Sequence, residues 1–198
     1  MKKLFNFTFL LAVLSISACA GGGSYYNPND GVKSSDPQLV GSRDMNYDHK
    51  IVPGVRIGPV RLGGRVKDAV QHLGRPDRVS RQSETVWPGD LVIYFYSDEC
   101  INFNWTDAGL DPKIGEMDLR VTCGKWTTDT GIRVGMPISE AIGRFSGRYC
   151  ASPTTDGMLK VTFKDQGIEL FANNRNAPIK FILVLTSYLA RGLWECKD

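Results

Sequence analysis

Histidine is scarce in this chain, with two among 198 residues, and no two cysteines stand in a CxxC spacing. The clustered His/Cys sets that hold zinc are therefore missing. So are a phosphate-cradling P-loop, HExxH, an EF-hand loop, GxGxxG and GxSxG, each of which carries a specific mechanism. General acid–base chemistry uses histidine most often. His49 falls in a segment without apolar period, and His72 stands just before Leu73, off an apolar stripe. Asp98-Glu99 falls in a tight turn, where solvated carboxylates are expected. No catalytic residue, cofactor or metal is expected, and the chain reads as a non-enzyme. Charge of one sign is also lacking. The 24 basic and 21 acidic residues form no single-sign run, which excludes a nucleic-acid footprint and a polybasic membrane patch. The apolar run from Leu4 to Ile16 is too short for a permanent membrane-spanning helix.

That run has another reading. Lys2 and Lys3 precede it, as the charged start of an export signal. It ends in Ile16-Ser17-Ala18-Cys19: a branched apolar residue, two small ones and cysteine. This resembles the bacterial lipobox. The resemblance implies cleavage before Cys19, diacylglycerol on its sulfur and acylation of the new amino terminus. Residues 1–18 are then a signal peptide, and several acyl chains on one residue give stable membrane anchoring. Ala20 follows, where lipoproteins kept at the inner membrane often carry aspartate, so the resemblance favours the outer membrane and a periplasm-facing domain. Loss of Lys2 and Lys3 takes the basic count from 24 to 22 against 21 acidic residues.

Cys100, Cys123, Cys150 and Cys196 remain, an even number suited to an oxidising space. Four cysteines permit three connectivities. The expected one is Cys100–Cys123 with Cys150–Cys196, which keeps each bridge within one half of the chain.

Residues 19–50 read as a lipidated flexible tether. Gly21-Gly22-Gly23-Ser24, Asn27-Pro28-Asn29-Asp30-Gly31 and Ser34-Ser35-Asp36-Pro37 carry no apolar period. About 30 such residues reach ~30 Å.

From residue 51 the pattern repeats. Arg61 to Leu73 matches Arg133 to Phe145, 72 positions later, in Arg, Gly, Ala and every apolar slot. Val66, Ala69, Val70 and Leu73 follow helical spacing, as do Ile138, Ala141, Ile142 and Phe145. Pro137 suits a first helical position, Gly74 a helix stop, and Gly147 a second stop. Strands are expected at 91–96 and 101–105 around Ser97-Asp98-Glu99-Cys100, and at 159–163 and 168–171 around Lys164-Asp165-Gln166-Gly167. Further strands are expected at 117–123 and 179–186, the last apolar on both faces. An additional one is expected before the first pair, near Pro88-Gly89. The fold class is α+β: two tandem helix-plus-antiparallel-meander units, at 51–126 and 127–198, each a short helix packed on a three- to four-stranded sheet.

Gly135-Met136 opens one helix and Leu73-Gly74-Arg75-Pro76 closes the other. These residues resemble the small outer-membrane lipoproteins of the BamE (SmpA/OmlA) type. Two such units in tandem, with two disulfides, resemble the beta-lactamase inhibitory protein fold. The resemblance covers roughly residues 55–187. Gly63-Gly64 replaces Gly-Met in the first unit, and the second lacks the Leu-Gly-x-Pro exit. Proteins of the first kind are accessory subunits of outer-membrane assembly, and those of the second inhibit enzymes. Both imply binding without catalysis.

Aromatic residues crowd the first half. Trp87, Tyr94, Tyr96 and Trp105 are the candidate anchors for a protein partner, if the sheet face opposite the helix is open. The expectation is a membrane-moored protein-binding accessory subunit of an envelope complex. An inhibitor of a secreted or periplasmic enzyme and a binder of a small ligand or lipid are the alternatives.

Overall fold

The computed structural model describes residues 47–83, 89–106, 112–115 and 119–186. Three two-residue strands come first: β1 (Ile51–Val52), β2 (Arg56–Ile57) and β3 (Val60–Arg61), an antiparallel sheet in that order. Helix α1 (Val66–Leu73) follows, then β4 (Arg78–Ser83), β5 (Asp90–Tyr96), β6 (Ile101–Thr106) and β7 (Leu119–Val121). Helix α2 (Ile138–Arg144) leads into β8 (Cys150–Pro153), β9 (Leu159–Phe163), β10 (Ile168–Ala172) and β11 (Phe181–Val184). The class is α+β, with antiparallel sheets.

The eight longer strands form one sheet in the order β4-β5-β6-β7-β11-β10-β9-β8. The expectation of a separate small sheet for each helix is thereby corrected. The seam is the antiparallel pair β7·β11, centred on Arg120 opposite Leu183. The apolar run 181–185 serves two clusters: Ile182 and Val184 face the main core, and Phe181, Leu183 and Leu185 form a second one on the other side.

Directly paired residues share a sheet face. One row, Tyr96, Ile101, Val121, Ile182, Leu170 and Val161, therefore lies on a single side. All of these belong to the main core together with Val66, Ala69, Val70 and Leu73 of α1 and Ile138 and Ala141 of α2. Both helices cover that face. Phe145, just past α2, packs its ring on Phe163 at 4.4 Å between centroids, and the Tyr96 hydroxyl donates to the Gly74 carbonyl at 3.1 Å. Each fully buried aliphatic side chain here is worth ~1.5–3 kcal/mol, which is what makes such short helices stable.

Gly74 caps α1 as its sequence implied. Pro137 is the N-cap of α2, one position before the helix, and α2 ends at Phe145 instead of Gly147. Phe145 turns extended there because its ring is drawn down onto the sheet.

The entrances to the two helices are held alike. The Gly63 amide donates to the Ile114 carbonyl and the Gly135 amide to that of Ile179, at 3.1 and 2.8 Å. Ile114 answers to Gly64, and Ile179 to Met136, both at 2.8 Å. The Val66 amide meets the Pro112 carbonyl at 3.0 Å, and the Ile138 amide meets that of Ala177 at 3.1 Å.

Candidate protein-binding face

The aromatic anchors read from the sequence lie in the core. Tyr94, Tyr96 and Trp105 are 1%, 1% and 2% exposed. Their strand parity is that of Val92, and this is the side that takes the helices. Tyr94 meets Trp105 edge-on at 5.6 Å and Phe103 at 5.8 Å between centroids, while Tyr96 stacks on Phe103 at 5.9 Å. These three are corrected from docking residues to packing residues. Trp87 lies outside the described residues. A signal was present in β6, where Asn102 and Asn104 alternate with Ile101, Phe103 and Trp105. That alternation marks the asparagine side as the one away from the core, and the four-residue turn puts Tyr94 and Tyr96 on the other.

The helix-free face carries a different set. Its register runs unbroken across all eight strands: Arg78, Phe95, Asn102, Arg120, Leu183, Glu169, Thr162 and Cys150. The Arg78 guanidinium lies over the Phe95 ring at 3.8 Å from its centroid, and that of Arg120 lies over Phe181 at 4.6 Å. Phe181 stacks on Phe171 at 4.3 Å, and with Met158, Leu183 and Leu185 these form a second apolar cluster, apart from the main core. Glu169 is buried on this side. It accepts from the Thr162 hydroxyl at 2.8 Å and meets the Lys160 ammonium at 3.6 Å. Neither arginine has a carboxylate partner among the described residues. The Nε of Arg120 is buried and accepted by no oxygen.

The Arg120–Phe181 contact was not legible in the sequence. It joins diagonal neighbours 61 residues apart in the sequence, a relation that the β7·β11 seam creates.

Glu99 also departs from its expected place. It is 1% exposed, and its carboxylate accepts from the Lys125 ammonium at 2.7 Å while its carbonyl accepts from the Trp126 indole. The hairpin turn is folded inward because Cys100 is tied to Cys123, with Cα atoms 5.6 Å apart. That bridge is the one expected. Cys150 is itself disulfide-bonded. Its expected partner, Cys196, lies outside the described residues, as does the lipid-accepting Cys19. His72 is half-buried, and His49 packs on Trp126 at 4.9 Å between ring centroids.

Among the described residues no group of three His, Cys, Asp or Glu side chains is placed to hold a metal ion, and no helix is long and apolar enough to cross a membrane. The seam between the halves is a hydrogen-bonded strand pair. Comparison with protein-family models, curated proteins and solved structures gave no match.

Proposed function

We propose that the chain is a lipid-anchored lipoprotein of the outer membrane, facing the periplasm, that serves as a non-catalytic protein-binding subunit of an envelope complex. On this reading Cys19 carries the lipid and residues 20–50 tether the folded part. That part is two tandem helix-plus-meander units, and a partner docks on the sheet face that no helix covers.

The matched hydrogen bonds at the two helix entrances support the tandem reading, as do helices that start 72 positions apart at Val66 and Ile138. The observation that carries the docking reading is the contrast between the two faces. One is filled by helices, aliphatic residues and aromatic rings. The other holds arginines laid on rings around an apolar cluster. Arginine and aromatic residues are the side chains enriched at the energetic centres of protein interfaces.

Two measurements test it. Cys19→Ala moves the protein from the membrane fraction to the soluble one; unchanged membrane retention removes the anchor. A photo-crosslinking side chain at Asn102, on the helix-free face, captures a protein, whereas one at Lys67, exposed on α1, does not. Equal capture from both positions, or none from Asn102, removes the docking face.

A further inference from the structure

We infer that the helix-free face recognises an acidic, extended protein segment, with Arg120 and Arg78 as the two carboxylate receivers. The inference rests on the docking reading above and adds the chemistry of the partner.

The ionisable side chains on this face of the described strands are Arg78, Arg120, Lys160 and Glu169. Lys160 and Glu169 face each other at 3.6 Å, and Glu169 accepts from Thr162 as well. Two guanidinium charges are left over. Both are held in place by a ring beneath them, at 3.8 and 4.6 Å. Stacking fixes the guanidinium plane and leaves its edge N–H groups free, the geometry that takes a carboxylate with two parallel hydrogen bonds.

Arg120 is the stronger indicator. It is half-buried in the middle of an eight-stranded sheet, with its Nε shielded from water and unbonded. Partial desolvation strengthens the charge-assisted hydrogen bonds that its outer guanidinium N–H groups give to an incoming carboxylate. Surface arginines without partners are ordinary; one that is partly desolvated, ring-stacked and unpaired is a receiver.

Phe95 and Phe181 are separated by three strand steps, so the two guanidinium groups lie on the order of 15 Å apart. Side chains four residues apart on one face of an extended segment stand ~14 Å apart. A strand crossing the face with acidic residues at i and i+4 meets both sites. Two unpaired charges among half-buried Leu91, Ile93, Phe95 and Phe181 suit a protein segment better than an anionic lipid surface, which takes clusters of four or more basic residues.

The test uses the full-length protein in the cells that make it, with the photo-crosslinker at Asn102, between Phe95 and Arg120 in the row. The expected adduct maps to a partner peptide containing Asp or Glu. Arg120→Glu lowers its yield at least about tenfold, and Arg120→Lys lowers it less. Exchanging the partner's carboxylate for Lys restores capture by the Arg120→Glu protein. Arg78→Glu, at an exposed edge position where unfolding is not at issue, also lowers the yield, and thermal unfolding checks that Arg120→Glu remains folded. An adduct that survives both reversals, or that maps to a peptide without carboxylates, overturns the acidic partner and leaves the docking face standing. No adduct at all overturns both. An adduct with lipid, or with residues 187–198 of the same chain, overturns the inference.

Discussion

Cys100 and Gly167 end two four-residue hairpin turns in the same left-handed backbone conformation, with φ 54 and φ 67. An isoleucine opens the next strand in each case, Ile101 and Ile168. Glycine enters this region freely, whereas an L side chain pays ~1–2 kcal/mol. Cys100 is the single non-glycine residue of positive φ among those described. It is held there by its bond to Cys123, which closes a separation of 23 residues. Restricting the unfolded chain in this way contributes ~3 kcal/mol, more than the strain.

Removing the bridge therefore has two components that substitution separates. The Cys100→Ala/Cys123→Ala variant loses ~3 kcal/mol in urea unfolding. Cys100→Gly/Cys123→Ala loses about 1 kcal/mol less, because the turn is relaxed. Equal losses would show that the turn conformation is unstrained.

Glu99 and Lys125 form a pair in which the acid is buried and the base reaches water, with side-chain exposures of 1% and 33%. Lys125→Met removes the ammonium partner of this buried carboxylate and costs about 2 kcal/mol, below the range for fully buried pairs because the lysine side is open. Glu99→Gln together with Lys125→Met costs at least ~1 kcal/mol less than the sum of the single changes. Simple additivity in chemical denaturation would remove the pairing as a stabilising contact.

Gly58 lies against the indole of Trp126, where any Cβ meets the ring, and its φ is 51. Trp126 is fully buried and cannot swing aside. Gly58→Ala is expected to cost about 2–3 kcal/mol. Adding Trp126→Leu opens space, so the double variant loses less than the two single losses combined. A Gly58→Ala protein of native stability would show the close approach to be relaxed.

Arg56 donates to both carboxylate oxygens of Asp48, at 2.7 and 2.8 Å. These hydrogen bonds, aided by the guanidinium charge, hold the Asp48 carboxyl below its ordinary value of 3.8 against a smaller desolvation effect. A depressed folded value means the stabilisation is complete above the unfolded pKa and disappears as pH falls through the folded one, below about pH 4. With 46% of the Asp48 side chain exposed, water screens the pair and the effect is about 0.5 kcal/mol. Asp48→Asn flattens the fall in stability below about pH 4 by that amount. An unchanged acid limb in the variant removes the contribution.

Local patterns in the chain were read well where a single element decides them. Helical spacing gave the buried residues of α1, and the turn residues bracketed the hairpins β5–β6 and β9–β10. Strand β8 was missed, and β4 was expected only as an unbounded strand ahead of Pro88-Gly89, because Arg78–Ser83 and Cys150–Pro153 are edge strands with little apolar content. The three short strands were missed because two residues carry no period. The candidate face was misplaced for a different reason. Period two groups Tyr94 with Tyr96, but the side that receives the helices is set by tertiary packing. Arg120 gave no local sign, since its ring partner comes from the far end of the fold.

The seam also sets the order in which the sheet can be finished. Val121 waits for Ile182, and Leu119 for Val184. A polypeptide emerging amino end first completes the run from β4 to β7 while one flank of β7 is still bare. Closing a loop of that length before any reward is gained slows the last step. In the interval the unpaired flank is open to foreign strands, and its three-residue length limits the foothold it offers them. Shortness at β7 thus protects the nascent molecule at the moment when its own closing strand has not yet arrived.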